Sequence, residues 1–253
     1  MARTPNSTAR KEASMNRSPF GRHALAAAVA GMLVLSGFLA GPSRAAEDAV
    51  IIPPPALDAK AASGIQTAVI AGGCFWGVQG VFQHTAGVLN AVSGYAGGAR
   101  ETANYDKVST GATGHAESVE IRFDPKQISY GKILQIFFSV AHDPTQLDRQ
   151  GPDNGTQYRS EIFTLNDEQK KVAEAYIAQL DAAKVYKKPI VTKVGTLKGF
   201  FPAESYHQDY LTLHPKQPYI AYYDIPKIRN LKNLFADNYV EKPTLVGRAK
   251  VTN

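Results

Sequence analysis

From Gln66 onward the chain alternates between two periodicities. Gln66 to Gly72 is a short apolar run ending in glycines, which predicts a strand and a turn, and Phe75 to His84 carries apolar residues at helical spacing. Val88 to Tyr95 reads as a second strand that runs into Gly94-Tyr95-Ala96-Gly97-Gly98. Between Ala116 and Asp124, Val119, Ile121 and Phe123 alternate with Glu120 and Arg122, the pattern of a half-buried strand, and Pro125 stops it. Tyr130 to Val140 is apolar at helical spacing behind Ser129, a residue suited to capping a helix. A strand over Ser160 to Thr164, a helix over Asp167 to Ala183 capped by Asn166, a strand over Ile190 to Val194 and a helical tail from Pro226 to Asp237 complete the series. Strands and helices alternate, yet at least two strands keep one solvent-facing side. That predicts an α/β (α+β) two-layer sandwich rather than a doubly wound sheet.

The first 45 residues follow a different rule. Arg3, Arg10, Lys11, Arg17 and Arg22 make a basic region, Ala24 to Ala40 carries no charge, and Ser43-Arg44-Ala45 has the small-x-small form of a cleavage site. Residues 1–45 are therefore expected to be a signal peptide cleaved after Ala45, with the protein exported to the periplasm; the alternative is an uncleaved membrane anchor, the only expected membrane contact. Residues 46–66 are alanine-rich and hold Pro53-Pro54-Pro55, which predicts a linker or a loosely wrapped arm. The remaining stretch, 67–253, is expected to be the folded domain and to be monomeric.

Of the 28 Lys and Arg, six lie in residues 1–45, with one of the 22 acidic residues. The remainder is thus nearly neutral, with 22 basic against 21 acidic residues. The net charge of +6 belongs mainly to the leader. Only scattered doublets such as Lys170-Lys171 and Lys187-Lys188 remain, so no nucleic-acid partner is expected.

The chain has one cysteine, Cys74, in the run Gly72-Gly73-Cys74-Phe75-Trp76-Gly77 between the first strand and the first helix. Unpaired N–H groups and the positive end of the helix dipole at such a turn favour a thiolate, which makes Cys74 a candidate nucleophile, against the alternative of a small buried hydrophobe. A single cysteine excludes an internal disulfide, a thiolate-rich zinc site and a second thiol to resolve an oxidised first one. Glu117, at the start of an apolar strand, is a candidate acid if burial raises its pKa, or else a surface carboxylate. Asp153 and Tyr158 lie in a turn-rich loop, and Tyr105 and Tyr206 are further hydroxyl donors. His142-Asp143 and His207 lack the spacing of a metal site, and no metal is expected. His207 or His115 as a base for Cys74 would instead make a cysteine hydrolase or acyltransferase.

The runs GCFWG (73–77), GYAGG (94–98), GHAE (114–117), HDPTQ (142–146), GTQYRS (155–160) and AESYHQDYL (203–211) occur in this order. Together they resemble the A-type peptide methionine sulfoxide reductases, from about Thr67 to Asp237. The resemblance implies a two-layer sandwich related to ferredoxin-like folds, a mixed sheet with flanking helices. It also implies a reaction, the reduction of methionine S-sulfoxide, free or in proteins, in the repair of oxidised proteins. Cys74 would be the nucleophile and Glu117 the acid. Phe75 and Trp76 would cage the substrate methyl, Tyr105 and Tyr158 would hydrogen-bond the sulfoxide oxygen, and Asp153 and Tyr206 would line the site as polar supports. No bound cofactor is implied. The same aromatic cage without the chemistry would make a non-catalytic sulfoxide-peptide-binding module.

Many members of that family carry one or two more cysteines near the C-terminus, and this chain has none. The resemblance is therefore to the single-cysteine subset, in which an external thiol attacks the Cys74 sulfenic acid. That thiol would be thioredoxin-like, glutaredoxin-like or a small molecule, and for an exported protein a reductase outside the membrane.

Overall fold

A computed structural model describes residues 48–60 and 63–246; the expected signal peptide lies outside the described residues. Six strands form one sheet in the order β7-β6-β1-β3-β2-β8, with β1 Gln66–Gly72, β2 Val88–Ala96, β3 Ala116–Phe123, β6 Ser160–Thr164, β7 Lys193–Thr196 and β8 Phe200–Pro202. The two-residue strands β4 (Arg149–Gln150) and β5 (Asp153–Asn154) pair separately. All neighbours in the large sheet are antiparallel except β6 and β7, which run parallel on either side of helix α4 (Asp167–Ala182) in the chain.

Period-two alternation divides the sheet into two unequal faces. Ala68, Ile70, Ala91, Val119, Ile121 and Ile162 join one cluster with α1 (Phe75–Gln83), α3 (Tyr130–Ile136), α4 and α6 (Ile225–Leu234). The alternate positions Val69, Ala71, Ala96, Ala116 and Phe163 form a small second cluster that contains no helical residue. The mixed sheet with helices on one face agrees with the expected two-layer architecture. Counting back along β3 from Ile121 and Val119 puts Glu117 on the helix-covered face, opposite Tyr95 of β2.

Helix starts follow the sequence. Ser129 and Asn166 accept hydrogen bonds from Lys132 N and Gln169 N at 3.1 and 2.8 Å. The helix expected to continue to Val140 widens after Ile136 into a π-turn over Phe137–Ala141. The last strand pairs at 193–196 rather than 190–194, because Val191 is held outside the sheet by Pro144 O, at 2.8 Å. Strand β8 was not visible in the pattern, being three residues at an edge of the sheet.

Residues 48–60 lie along α3 and α4 as a strap. Prolines leave carbonyls with no local donor, and here Tyr176 Oη and Gln179 Nε2 donate to Pro53 O and Pro54 O at 2.7 and 2.9 Å. Val50 and Ser139 exchange two further bonds, and Asp58 accepts from Gly131 N at 2.7 Å. Among the described residues no helix is long and apolar enough to cross a membrane.

Candidate active site

Cys74 occupies the N-cap position of α1, where the chain leaves β1 through Gly73 at φ +88°. A side chain at Gly73 would meet Gln150 Cβ at 2.5 Å, so both conformation and space demand glycine. Cys74 is 8% exposed. Glu117, 3% exposed, accepts a hydrogen bond from Phe75 N at 3.1 Å, which brings its carboxyl to the first turn of the same helix.

Electrostatics at this turn differ from the expectation of a resting thiolate. The Trp76 N–H favours charge on the sulfur, but burial opposes it more strongly, and the carboxyls of Glu117, Asp224 and Asp153 add to the opposition. Cys74 is held well above the usual thiol range and rests as a neutral thiol. Burial pushes Glu117 up to about 8, against the pull of the Phe75 N–H and with help from Asp153 and Asp224. A carboxyl with that pKa is mostly protonated at neutral pH, as an acid must be.

Around this pair the structure gathers the other predicted residues. Phe75 is buried against Tyr95 and His207, with ring centroids at 5.9 and 5.1 Å. Trp76 stacks on Tyr210 at 3.9 Å, meets Tyr219 edge-on at 6.0 Å, and donates from Nε1 to His207 Nδ1 at 3.2 Å. Tyr105 opens the short helix α2 (Tyr105–Val108), and Tyr158 ends a 3-10 turn, Thr156–Tyr158. Burial raises both phenols, with Glu117, Asp153 and Cys74 raising them further, so both remain hydrogen-bond donors. Asp153 accepts a hydrogen bond from Tyr219. Tyr206 stands apart at the rim, 59% exposed, its ring 4.2 Å from that of His207.

Several residues of this shell carried no signal as chemistry in the sequence. Glu204 accepts from Tyr95 Oη at 2.8 Å and from Tyr105 N at 2.9 Å, tying α2 to β2. Gln208 and Gln79 bond each other and the backbone of Ser93 and Ala91, anchoring the 203–210 segment on α1 and β2. Glu204 and Gln208 lie inside the AESYHQDYL run, which was the available clue. Beneath α1, Asp224 and Lys227 approach the backbone of Gly77 so closely that a Cβ there would lie 2.1 Å from Asp224 Oδ1. Gly77→Ala is therefore expected to destabilise the fold by on the order of 1–3 kcal/mol, read as a fall in Tm of about 2–10 °C.

The histidines are engaged elsewhere. His115 Nδ1 accepts from Gly98 N at 3.2 Å and Nε2 bonds Ala99 O at 2.9 Å, which fixes the glycine-rich loop. His207 spends Nδ1 on Trp76. His142 bonds Phe137 O and Ser160 Oγ. A Cys–His nucleophile pair is not formed among the described residues.

A neutral thiol and a protonated carboxyl at one helix N-terminus, with phenol donors and an aromatic wall, define a cysteine-based oxidoreductase. Residues 66–239 match the peptide methionine sulfoxide reductase family model. The protein belongs to the peptide methionine sulfoxide reductases, enzymes that reduce methionine sulfoxide in protein repair. It is 64% identical over 190 residues to "Peptide methionine sulfoxide reductase MsrA 2" of Mesorhizobium japonicum, covering 75% of this chain and 97% of that protein. It is 49% identical to the protein of the same name from Synechocystis sp., covering 74% and 89%. Among solved structures it is similar to methionine sulfoxide reductase A of Corynebacterium diphtheriae, with TM-score 0.53 and 33% identity over 70% of this chain and 87% of that one. It is also similar to Mxr1 of Saccharomyces cerevisiae in reduced form, with TM-score 0.55 and 29% identity over 64% and 92%.

Proposed function

We propose that this protein reduces the S-epimer of methionine sulfoxide through Cys74, and that the observation carrying the mechanism is the Glu117 carboxyl, buried and protonated, at the helix N-terminus that bears the thiol. The substrate methyl packs on Phe75 and Trp76, and the sulfoxide oxygen accepts hydrogen bonds from Glu117, Tyr105 and Tyr158. Negative charge grows on that oxygen as the Cys74 sulfur attacks the sulfoxide sulfur, and the phenols stabilise it as an oxyanion hole does. Glu117 passes its proton to the oxygen and takes the thiol proton in exchange. The attack forms an S–S bond between Cys74 and the substrate as the protonated oxygen leaves the substrate sulfur; that oxygen, as water or hydroxide, then bonds to the Cys74 sulfur and the S–S bond breaks, so that methionine leaves with the two electrons and Cys74 is left as sulfenic acid. Asp153 holds Tyr219 against Trp76, and Tyr206 lines the entrance.

Cys74 is the chain's only thiol, so an external thiol condenses with the sulfenic acid, releasing water and forming a mixed disulfide that a second thiol reduces. We assign that role to a thioredoxin-like or glutaredoxin-like reductase or a small thiol. The basic, apolar and Ser43-Arg44-Ala45 segments support export to the periplasm. N-terminal sequencing of exported protein should begin at Ala46, and a Met1 start would contradict cleavage.

The function is tested by dithiol-driven turnover of each epimer separately. The S-epimer should be reduced and the R-epimer should not; equal rates would contradict the cage as the selector. Because the reacting pair is a neutral thiol and a protonated acid, the single-turnover rate should be flat below about pH 8. Above it the rate should fall about tenfold per pH unit as Glu117 loses its proton. A rate rising through pH 8–9 would show that a thiolate attacks without the acid.

A further inference from the structure

The Asp224–Lys227 pair has no part in the steps above. It lies where a structural ion pair is costly. Asp224 is fully buried and Lys227 is 7% exposed, with Nζ 3.2 Å from Oδ1. The second carboxylate oxygen, Oδ2, is buried and has no hydrogen-bond partner among the described residues. Removing two charges from water costs several kcal/mol per ion, and an apolar pair of similar volume often serves stability as well or better. An unsatisfied carboxylate oxygen makes the arrangement dearer still.

Position supplies a reason for it. Asp224 closes a π-turn, Ile220–Asp224, and α6 begins at the next residue. The pair presses on the backbone of Gly77, which lies in the first turn of α1, three residues after Cys74. Just before the π-turn, Tyr219 bonds Asp153 and meets Trp76 edge-on, so the segment 219–227 backs the cage from the sulfur's side of the helix. Glycine at 77 is what allows the approach, since any side chain would collide with Oδ1 and Nζ.

We propose that Asp224, held ionised by Lys227, is a positioning residue for Cys74: its buried carboxylate keeps negative charge off the resting sulfur, so that the nucleophile gives up its proton only when a sulfoxide fills the cage. The same space contains Glu117 from β3, Asp153 from β5, Tyr105, Tyr158 and Tyr219. Glu117 and the phenols are protonated at rest; burial raises Asp224 too, but Lys227, with Nζ 3.2 Å from Oδ1, opposes that rise, which makes Asp224 the fully buried member of the group with a cation to hold a standing negative charge. Its field acts on Cys74, Glu117 and Tyr219 in the same direction, against ionisation. The consequence is selectivity: a thiol that is neutral at rest reacts slowly with general electrophiles.

The inference rests on Cys74 as the nucleophile, and its test reads the thiol directly. The rate of Cys74 alkylation by iodoacetamide is followed against pH in the full chain, where no other thiol interferes. Asp224→Asn should move the ionisation midpoint of Cys74 down by about one pH unit or more, raising alkylation at pH 7.5 about tenfold. The double variant Asp224→Leu with Lys227→Met removes the anion and the cation together, and should shift the midpoint less than Asp224→Asn does, because the two opposed fields go at once. Lys227→Arg, which keeps the pair, should leave the midpoint at its wild-type position. A midpoint unchanged in a folded Asp224→Asn variant would make the pair purely structural and overturn the proposal. Failure of the nucleophile reading would show separately, as sulfoxide reduction surviving complete alkylation of Cys74.

Discussion

Cys74→Ser is expected to bring methionine sulfoxide reduction down to the uncatalysed background while leaving the fold intact or slightly stabilised. The loss is complete because the reaction needs a two-electron donor that can take up oxygen, which a serine hydroxyl cannot be, and the chain has no second thiol to substitute. The stabilisation follows from position. Cys74 is the N-cap of α1, with φ −53° and ψ 123°, and makes no side-chain capping bond. Serine is among the preferred residues there, and its Oγ has backbone N–H groups of the first turn within reach, a gain of up to about 1 kcal/mol. The residue that serves catalysis thus displaces one that would serve the helix, a trade of stability for activity. Circular dichroism melts beside a sulfoxide-reduction assay check both halves. Residual turnover in the serine variant would contradict the nucleophile assignment, and a fall in Tm of several degrees would contradict the capping argument.

Glu117→Gln is expected to slow the reductive step by on the order of 10²–10⁴, the range of a general acid, with substrate binding far less affected. Glutamine keeps the volume, and its carbonyl oxygen can still accept the Phe75 N–H bond that places residue 117 at the helix N-terminus. It can hydrogen-bond the sulfoxide oxygen but cannot deliver a proton to it. The oxygen must then leave with only Tyr105 and Tyr158 to stabilise its charge, and the thiol proton loses its acceptor. Single-turnover kinetics isolate this step from recycling by external thiol. The variant should also lose the fall in rate above about pH 8, because the group responsible for it is gone. An unchanged rate, or an unchanged alkaline limb, would reduce Glu117 to a structural partner of Phe75.

Much of this site was legible before any geometry, for identifiable reasons. The alternation Val119, Ile121, Phe123 extends back to Glu117, so the strand period itself turns that carboxyl toward the core. Gly73 before Cys74 and the apolar spacing after it mark a strand-to-helix turn with the sulfur at its apex. The thiol's protonation state was not legible. The helix N-terminus argues for a thiolate, and it does contribute through the Trp76 N–H, but burial and three carboxyls outweigh it. Two of those carboxyls, Asp153 and Asp224, lie 79 and 150 positions from Cys74 in the chain, and no local pattern connects them to it. Strand β8 escaped for a similar reason: Phe200–Pro202 exists as a strand because Gly94–Ala96 lies alongside it, and three residues behind Gly199 carry no period of their own. The Pro53 to Pro55 segment was read from its stiffness, whereas its docking depends on Tyr176 and Gln179, side chains that point at its carbonyls from a distant helix.

Cys74 and Glu117, with the phenols of Tyr105 and Tyr158 beside them, are proposed to complete the reduction of one sulfoxide within a single chain, after which the oxidised thiol waits for an outside reductant. A single-turnover mass measurement tests it most directly: the full chain, reduced and freed of thiol, is mixed with excess methionine S-sulfoxide, and both the methionine formed and the mass of the peptide bearing Cys74 are read. One equivalent of methionine per chain and a gain of about 16 Da on Cys74, as sulfenic acid, is the predicted result. No methionine, or methionine formed with the thiol still unoxidised, would contradict it.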